Sequence, residues 1–172
     1  MNWKSIKESC GQWSAAILGT IGAAGIWLAA ILAHQPVVMP PPLPIAITGV
    51  NQWVLTNDYT TTISNLTITI KSGFETDLAS IPPPLQMPIG MSPDNPSIRR
   101  GALIHDALYA SELVDRQTAD SILYAACLQD GTEPDKARAI WKAVHEWGFV
   151  VWDKHTPESV NKARAMVSVT FP

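Results

Sequence analysis

The sequence predicts an α+β protein: an N-terminal transmembrane helix, a Pro-rich stalk, and a small antiparallel sheet packed with a three- to four-helix bundle. Three observations carry that reading. Residues 11–33 contain no charge at all. Residues 45–71 are rich in β-branched and aromatic residues broken by turn dipeptides. From Pro96 onward the apolar spacing changes to threes and fours.

In domain terms, residues 1–12 are an inner segment, 13–33 a transmembrane helix, 34–44 a Pro-rich linker and 45–172 a soluble α+β domain. About 20 apolar residues suffice to cross a bilayer as a helix. Trp13 lies where an interfacial aromatic would anchor such a span. Lys4 and Lys7 precede it, which predicts the N-terminus on the cytoplasmic side and the soluble domain on the opposite side. The expected location is a bacterial inner membrane or a virion membrane. A cleaved signal peptide and a buried core helix are the rival readings, but a signal core is shorter and no polar face interrupts this run. Ala15, Gly19 and Ala23 recur every four residues, a spacing that lets two membrane helices pair into a homo-oligomer. The stretch HQPVVMPPPLP at 34–44 reads as an extended spacer.

Within the soluble domain, Ile45-Ala46-Ile47, Trp53-Val54-Leu55, Tyr59 to Ile63 and Leu66 to Ile70 are strand candidates. Leu66, Ile68 and Ile70 alternate with Thr67 and Thr69, as in a half-buried strand. Six prolines between Pro82 and Pro96 exclude a helix or central strand there and predict a long irregular loop. A first helix is expected from about Pro96 to Leu113. Asp115 caps a second that runs to Gln129, with Gly131 as its stop. Thr132, Pro134 and Asp135 open a third. Its buried face includes Ala137, Ile140, Trp141, Val144, Gly148 and Val151. Thr156-Pro157-Glu158 opens a short last helix that fades into Val167 to Pro172.

The net charge is −3, and Arg99-Arg100 is the densest basic cluster of the soluble domain, so a nucleic-acid partner is not expected. Two cysteines, Cys10 and Cys127, exclude both a disulfide framework and a cysteine zinc site. Ser80 lacks the G-x-S-x-G context of a serine nucleophile.

The stretch from Gly73 to Asp120 sets ionisable groups inside apolar text, a costly placement unless each is paired or bound. His105 and Tyr109 are four apart on one helix face, and Asp106 projects about 100° away. If the next helix returns antiparallel, Asp120 comes alongside His105. That pairing would leave His105 Nε2 facing substrate with Nδ1–H on the carboxylate, the base-plus-orienter arrangement of general-base catalysis. Asp106 and Asp77 would then hold a cation. The competing reading is structural: His105 and Asp106 would pin the Gly73–Pro82 loop to the helix pair, with Thr76 and Ser80 as partners. His145 and His155 read as surface or satisfied core histidines.

Gly73-Phe74-Glu75-Thr76-Asp77-Leu78-Ala79-Ser80-Ile81-Pro82 followed by His105-Asp106-Ala107-Leu108-Tyr109 resembles a domain family of unknown function found in phages and prophages. The resemblance spans roughly residues 50–155 and implies virion proteins or a membrane as partners, without naming a reaction. H-D-x-x-Y with a following Ala119-Asp120 is also similar to the phospholipase A2 superfamily, especially its viral capsid-borne members. That similarity covers about thirty residues. It implies His105 as the base that activates water, Asp106 as a calcium ligand, and Tyr109 and Asp120 as its support. No glycine-rich calcium loop precedes the helix in that superfamily's form. Two functions stand side by side: a membrane-tethered hydrolase of lipid or cell envelope, and a non-catalytic virion or envelope component.

Overall fold

The computed structural model describes residues 42–78 and 95–171. These belong to one compact unit, residues 38–172. The expected transmembrane segment at 13–33, most of the Pro-rich linker, and the proline-dense loop with Ser80 lie outside the described residues. Among the described residues no helix is long and apolar enough to cross a membrane.

The α+β class holds, but the single small sheet does not. Two antiparallel three-stranded sheets form instead. The first has the order β1–β2–β5, from Ile45–Gly49, Gln52–Leu55 and Glu75–Thr76. The second has the order β3–β4–β6, from Tyr59–Ile63, Leu66–Ile70 and Val167–Thr170. Each begins as a local hairpin with a left-handed residue at its turn, Asn51 in one and Ser64 in the other. Each then recruits a distant third strand. β5 sets Thr76 opposite Trp53, and β6 sets Val169 opposite Ile68. The chain beyond Arg164, expected to fade out, therefore closes the second sheet. Asp58 fixes the corner between the sheets by accepting from Ser72 N at 2.8 Å.

Five helices occur among the described residues: α1 Pro96–Ser111, α2 Arg116–Gln129, α3 Pro134–Trp147, α4 Phe149–Trp152 and α5 Pro157–Arg164. Asn95 caps α1 and Asp115 caps α2, each through its side-chain oxygen. A capping box of Thr156 and Ser159 opens α5. The start of α3 differs from expectation. Glu133 is its N-cap with no side-chain bond, because the Thr132 hydroxyl donates to the Ser97 carbonyl at 2.7 Å. The expected continuous face through Val151 also breaks: α3 ends at Trp147 and α4 starts beyond Gly148, leaving Val151 exposed.

α1 packs against α2 and α5, and α3 against α2. Ile63, Ile68 and Ile70 from the second sheet join Leu103, Ile104, Leu108, Leu123 and Ile140 in one core. One polar clamp fastens helices to sheet. Arg100 donates side-on to Asp130, Nε to Oδ2 at 2.8 Å and Nη2 to Oδ1 at 2.6 Å, and its Nη1 reaches Thr61 Oγ1 at 2.7 Å. Burial would lower the Arg100 pKa, but the hydrogen bonds and charge of Asp130 outweigh it and raise it.

Two buried groups make the fold sensitive to alkali. Burial, aided by the charge of Asp130, pushes the Cys127 thiol from 9.0 up to about 12. Burial first, then Asp120, raises the Tyr109 phenol above its ordinary 10.0. In each case the folded chain keeps a proton that the unfolded chain releases. Their stabilising contribution is therefore complete below those ordinary values and is lost as pH rises through the raised ones. Denaturant unfolding should give constant stability up to about pH 9, the ordinary thiol value, as far as these groups decide it. Above that it should fall by about 1.4 kcal/mol per pH unit for each proton involved. Cys127→Ala should move the onset to about pH 10, the ordinary phenol value. Stability that stays level to pH 11 (two units above the thiol value) would contradict the burial of both groups.

Candidate functional site

α1 and α2 run antiparallel across a four-residue connection, and the return brings Asp120 beside His105. Asp120 is fully buried, and His105 is 1 % exposed. Oδ1 of Asp120 takes two partners from successive turns of α1: His105 Nε2 at 2.9 Å and the Tyr109 hydroxyl at 2.6 Å. The His105 and Tyr109 rings lie 4.0 Å apart, and Trp152 meets the edge of Tyr109 at 5.1 Å. The ring nitrogen differs from expectation: Nε2, not Nδ1, meets the carboxylate. Oδ2 of Asp120 faces Arg116 Nη1 and His145 Nδ1, each at 3.5 Å.

Asp106, one residue on, points elsewhere. The Thr76 hydroxyl donates to its Oδ2, and Thr76 Oγ1 also accepts from Leu78 N at 3.0 Å. This ties β5 to α1. The G-F-x-T-D motif is the local means. Gly73 sits at φ 85°, open to glycine without strain, and its N–H donates to the Leu55 carbonyl at 2.7 Å. Phe74 and Leu78 are buried, which leaves Glu75 and Asp77 turned outward. Leu78 accepts a left-handed φ of 54°, a strained conformation for a leucine, next to this contact.

A cleft of about 470 Å³ opens beside the motif. Trp53, Thr76, Asp77, Asp106, Tyr109 and Val151 are among its walls. Of the five expected site residues, His105, Tyr109 and Asp120 are thus joined by hydrogen bonds. Asp106 and Asp77 share the cleft wall with Tyr109. His105 and Asp120 lie behind that wall and do not line it. Tyr109 is the residue common to both groups.

A calcium ion takes about six to eight oxygen ligands. Among the described residues no three His, Cys, Asp or Glu side chains converge to hold a metal. One oxygen of Asp106 is already engaged by Thr76.

Sequence reasoning missed Arg116, His145 and Gly148. Arg116 and Asp120 stand four apart on α2, a spacing that places them on one face and could have been noticed. His145 reaches Asp120 only through the α2–α3 packing. Gly148 is needed by contact rather than by φ: a Cβ there would collide with the Tyr109 hydroxyl and the Val144 carbonyl. Gly148→Ala should push Tyr109 off Asp120 and cost about 1–3 kcal/mol, the usual range for overpacking. Thermal melts of the variant check this, and an unchanged melting temperature would refute the contact.

The fold and site define a small α+β domain with a buried carboxylate hub behind an acidic cleft. The chain belongs to a family of proteins of unknown function, DUF1353, which matches residues 53–144, from β2 through most of α3. No curated protein and no solved structure matches it.

Proposed function

We propose that the chain is a hydrolase of lipid or cell-envelope substrates, with His105 as the base. The observation that carries this reading is the sharing of Asp120 Oδ1 by His105 and Tyr109, directly behind a cleft that Tyr109 also lines. Asp120 and Tyr109 fix the imidazole. With Nε2 engaged, Nδ1 is the nitrogen left to take a proton from water. A water so activated attacks a carbonyl or comparable electrophilic centre held in the cleft. The same set of residue types supports the phospholipase A2 superfamily's histidine, which favours an ester. The likeness to phage and prophage chains suits an envelope target.

A second reading is favoured by one specific observation: His105 is 1 % exposed and does not line the cleft. In that reading the cluster only holds α1 to α2, and the domain is a non-catalytic virion or envelope component.

Both readings predict a stability cost when His105 is removed, because its bond to a buried carboxylate is real in each. Activity separates them. The purified chain should be incubated with phospholipid vesicles and, separately, with cell-wall sacculi, scoring fatty-acid or fragment release. The hydrolase reading expects release from one of them. It also expects His105→Gln, which can still donate to Asp120, to lower the rate by about 10²–10⁴-fold while remaining folded. No release from either substrate, or a variant as fast as the parent, would overturn it and leave the structural reading.

A further inference from the structure

His155 has the geometry that the sequence predicts for His105. Its Nδ1 meets Glu112 Oε1 at 3.0 Å. An ionised carboxylate only accepts, so Nδ1 is the donor and carries its hydrogen whether the ring is neutral or charged. Nε2 makes no bond among the described residues and is not buried. The ring lines the cleft of about 470 Å³, which His105 does not reach. Side-chain exposures of 16 % for His155 and 29 % for Glu112 keep the pair half-sheltered.

Both partners are fixed through their backbones. Glu112 closes α1 at a left-handed φ of 48°, and its N–H donates to the Leu108 carbonyl at 2.9 Å. From α5, Arg164 Nε donates to the Ser111 carbonyl at 2.8 Å and Nη2 to that of Glu112 at 3.3 Å. His155 follows α4, where its N–H donates to the Trp152 carbonyl at 3.1 Å. The Trp152 ring stands 5.8 Å from that of His155 and 5.1 Å from that of Tyr109. The two histidines are therefore the ends of one chain of ring contacts, His105 behind the cleft and His155 on its wall. Pinning the turn before α5 to the end of α1 needs only Nδ1. It does not account for an open Nε2 on a ring that lines the cleft.

We propose that His155 is a second catalytic residue of the cleft, delivering a proton from Nε2 to the leaving oxygen of an ester, with Glu112 as its positioning residue. This rests on the hydrolase reading, in which that oxygen has no donor. As water adds to the carbonyl carbon, its proton goes to His105 Nδ1. The bond from carbon to the leaving oxygen then breaks, its electron pair stays on that oxygen, and the Nε2 proton of His155 joins it. His105 afterwards gives up its proton to solvent and His155 regains one, so both rings are restored. Glu112 holds Nδ1–H throughout, so the ring keeps its orientation as Nε2 empties.

The test compares two esters of one fatty acid, with the full chain as enzyme. One is a phospholipid in vesicles, whose leaving group is an alkoxide. The other is the para-nitrophenyl ester carried in the same vesicles, whose leaving group departs without a proton. His155→Asn keeps an amide N–H for Glu112 near the Nδ1 position and has nothing at Nε2. It should lower the phospholipid rate by about 10²–10⁴-fold and the nitrophenyl rate far less. Glu112→Ala should move the ratio of the two rates in the same direction. A ratio unmoved in either folded variant would overturn the proposal and leave the hydrolase reading to stand on His105→Gln. Release from sacculi alone would keep that reading and defeat the ester, and release from neither substrate would defeat both. Diethyl pyrocarbonate, which acylates an accessible, unengaged ring nitrogen, gives a readout apart from hydrolysis. Peptide mass mapping of the parent should find His155 modified faster than His105. Equal protection of the two rings would sink the proposal whatever the esters show.

Discussion

Asp130→Ala should be the most destabilising single change in the helix–sheet clamp, at about 3–5 kcal/mol, because it strands a buried guanidinium. Arg100 and Asp130 are 7 % and 4 % exposed at their side chains, so water cannot replace the lost partner. Thr61 would remain, but a neutral hydroxyl does not compensate a cation. The comparison that isolates the cause is the double variant Arg100→Met with Asp130→Leu. Removing both charges at once spares the desolvation penalty, so the double variant should be more stable than Asp130→Ala alone. Urea unfolding of the three chains measures both differences. A double variant weaker than the single one would mean that shape, rather than charge, decides at this position.

Asp120→Ala should be nearly as damaging. It leaves His105 Nε2 and the Tyr109 hydroxyl buried without an acceptor, each at about 1–3 kcal/mol. It also removes the carboxylate that Arg116 and His145 face. Asp120→Asn should cost less, since its amide oxygen can still accept both bonds at the Oδ1 position. Its amide group would then point at Arg116, so some loss is expected from two donors facing each other. Calorimetric melts should therefore rank the parent above Asp120→Asn and Asp120→Asn above Asp120→Ala. Equal melting of the two variants would show that the hydrogen bonds to Oδ1 do not carry the stability. If the chain is a hydrolase, both variants should lose the rate along with the orientation of His105.

The local chemistry of the chain was readable in the sequence wherever neighbours in sequence decide the outcome. The strands of both hairpins were, because their strand text is rich in β-branched residues and broken by turn residues. So were the caps at Asp115 and Thr156, which act within three residues of themselves. The pairing of His105 with Asp120 followed from helical spacing and a connection too short for anything but an antiparallel return. Val167 to Thr170 alternates as a strand should, yet its partner β4 is about a hundred residues away, so nothing local called for it. Thr132 has the composition of a cap, but a carbonyl on α1 captured its hydroxyl instead.

The sequence by itself determined the α+β class, most helix limits, the first four strands and the His105–Tyr109–Asp120 cluster. Each of these depends on periodicity, caps or short loops. Tertiary structure alone decided the division into two sheets, the break at Gly148, the nitrogen of His105 that meets Asp120, and the approach of His145 to the other oxygen. Those outcomes depend on where separate elements come to rest against one another. A side chain's partner across such a contact is set by packing distance, and packing distance leaves no pattern along the chain.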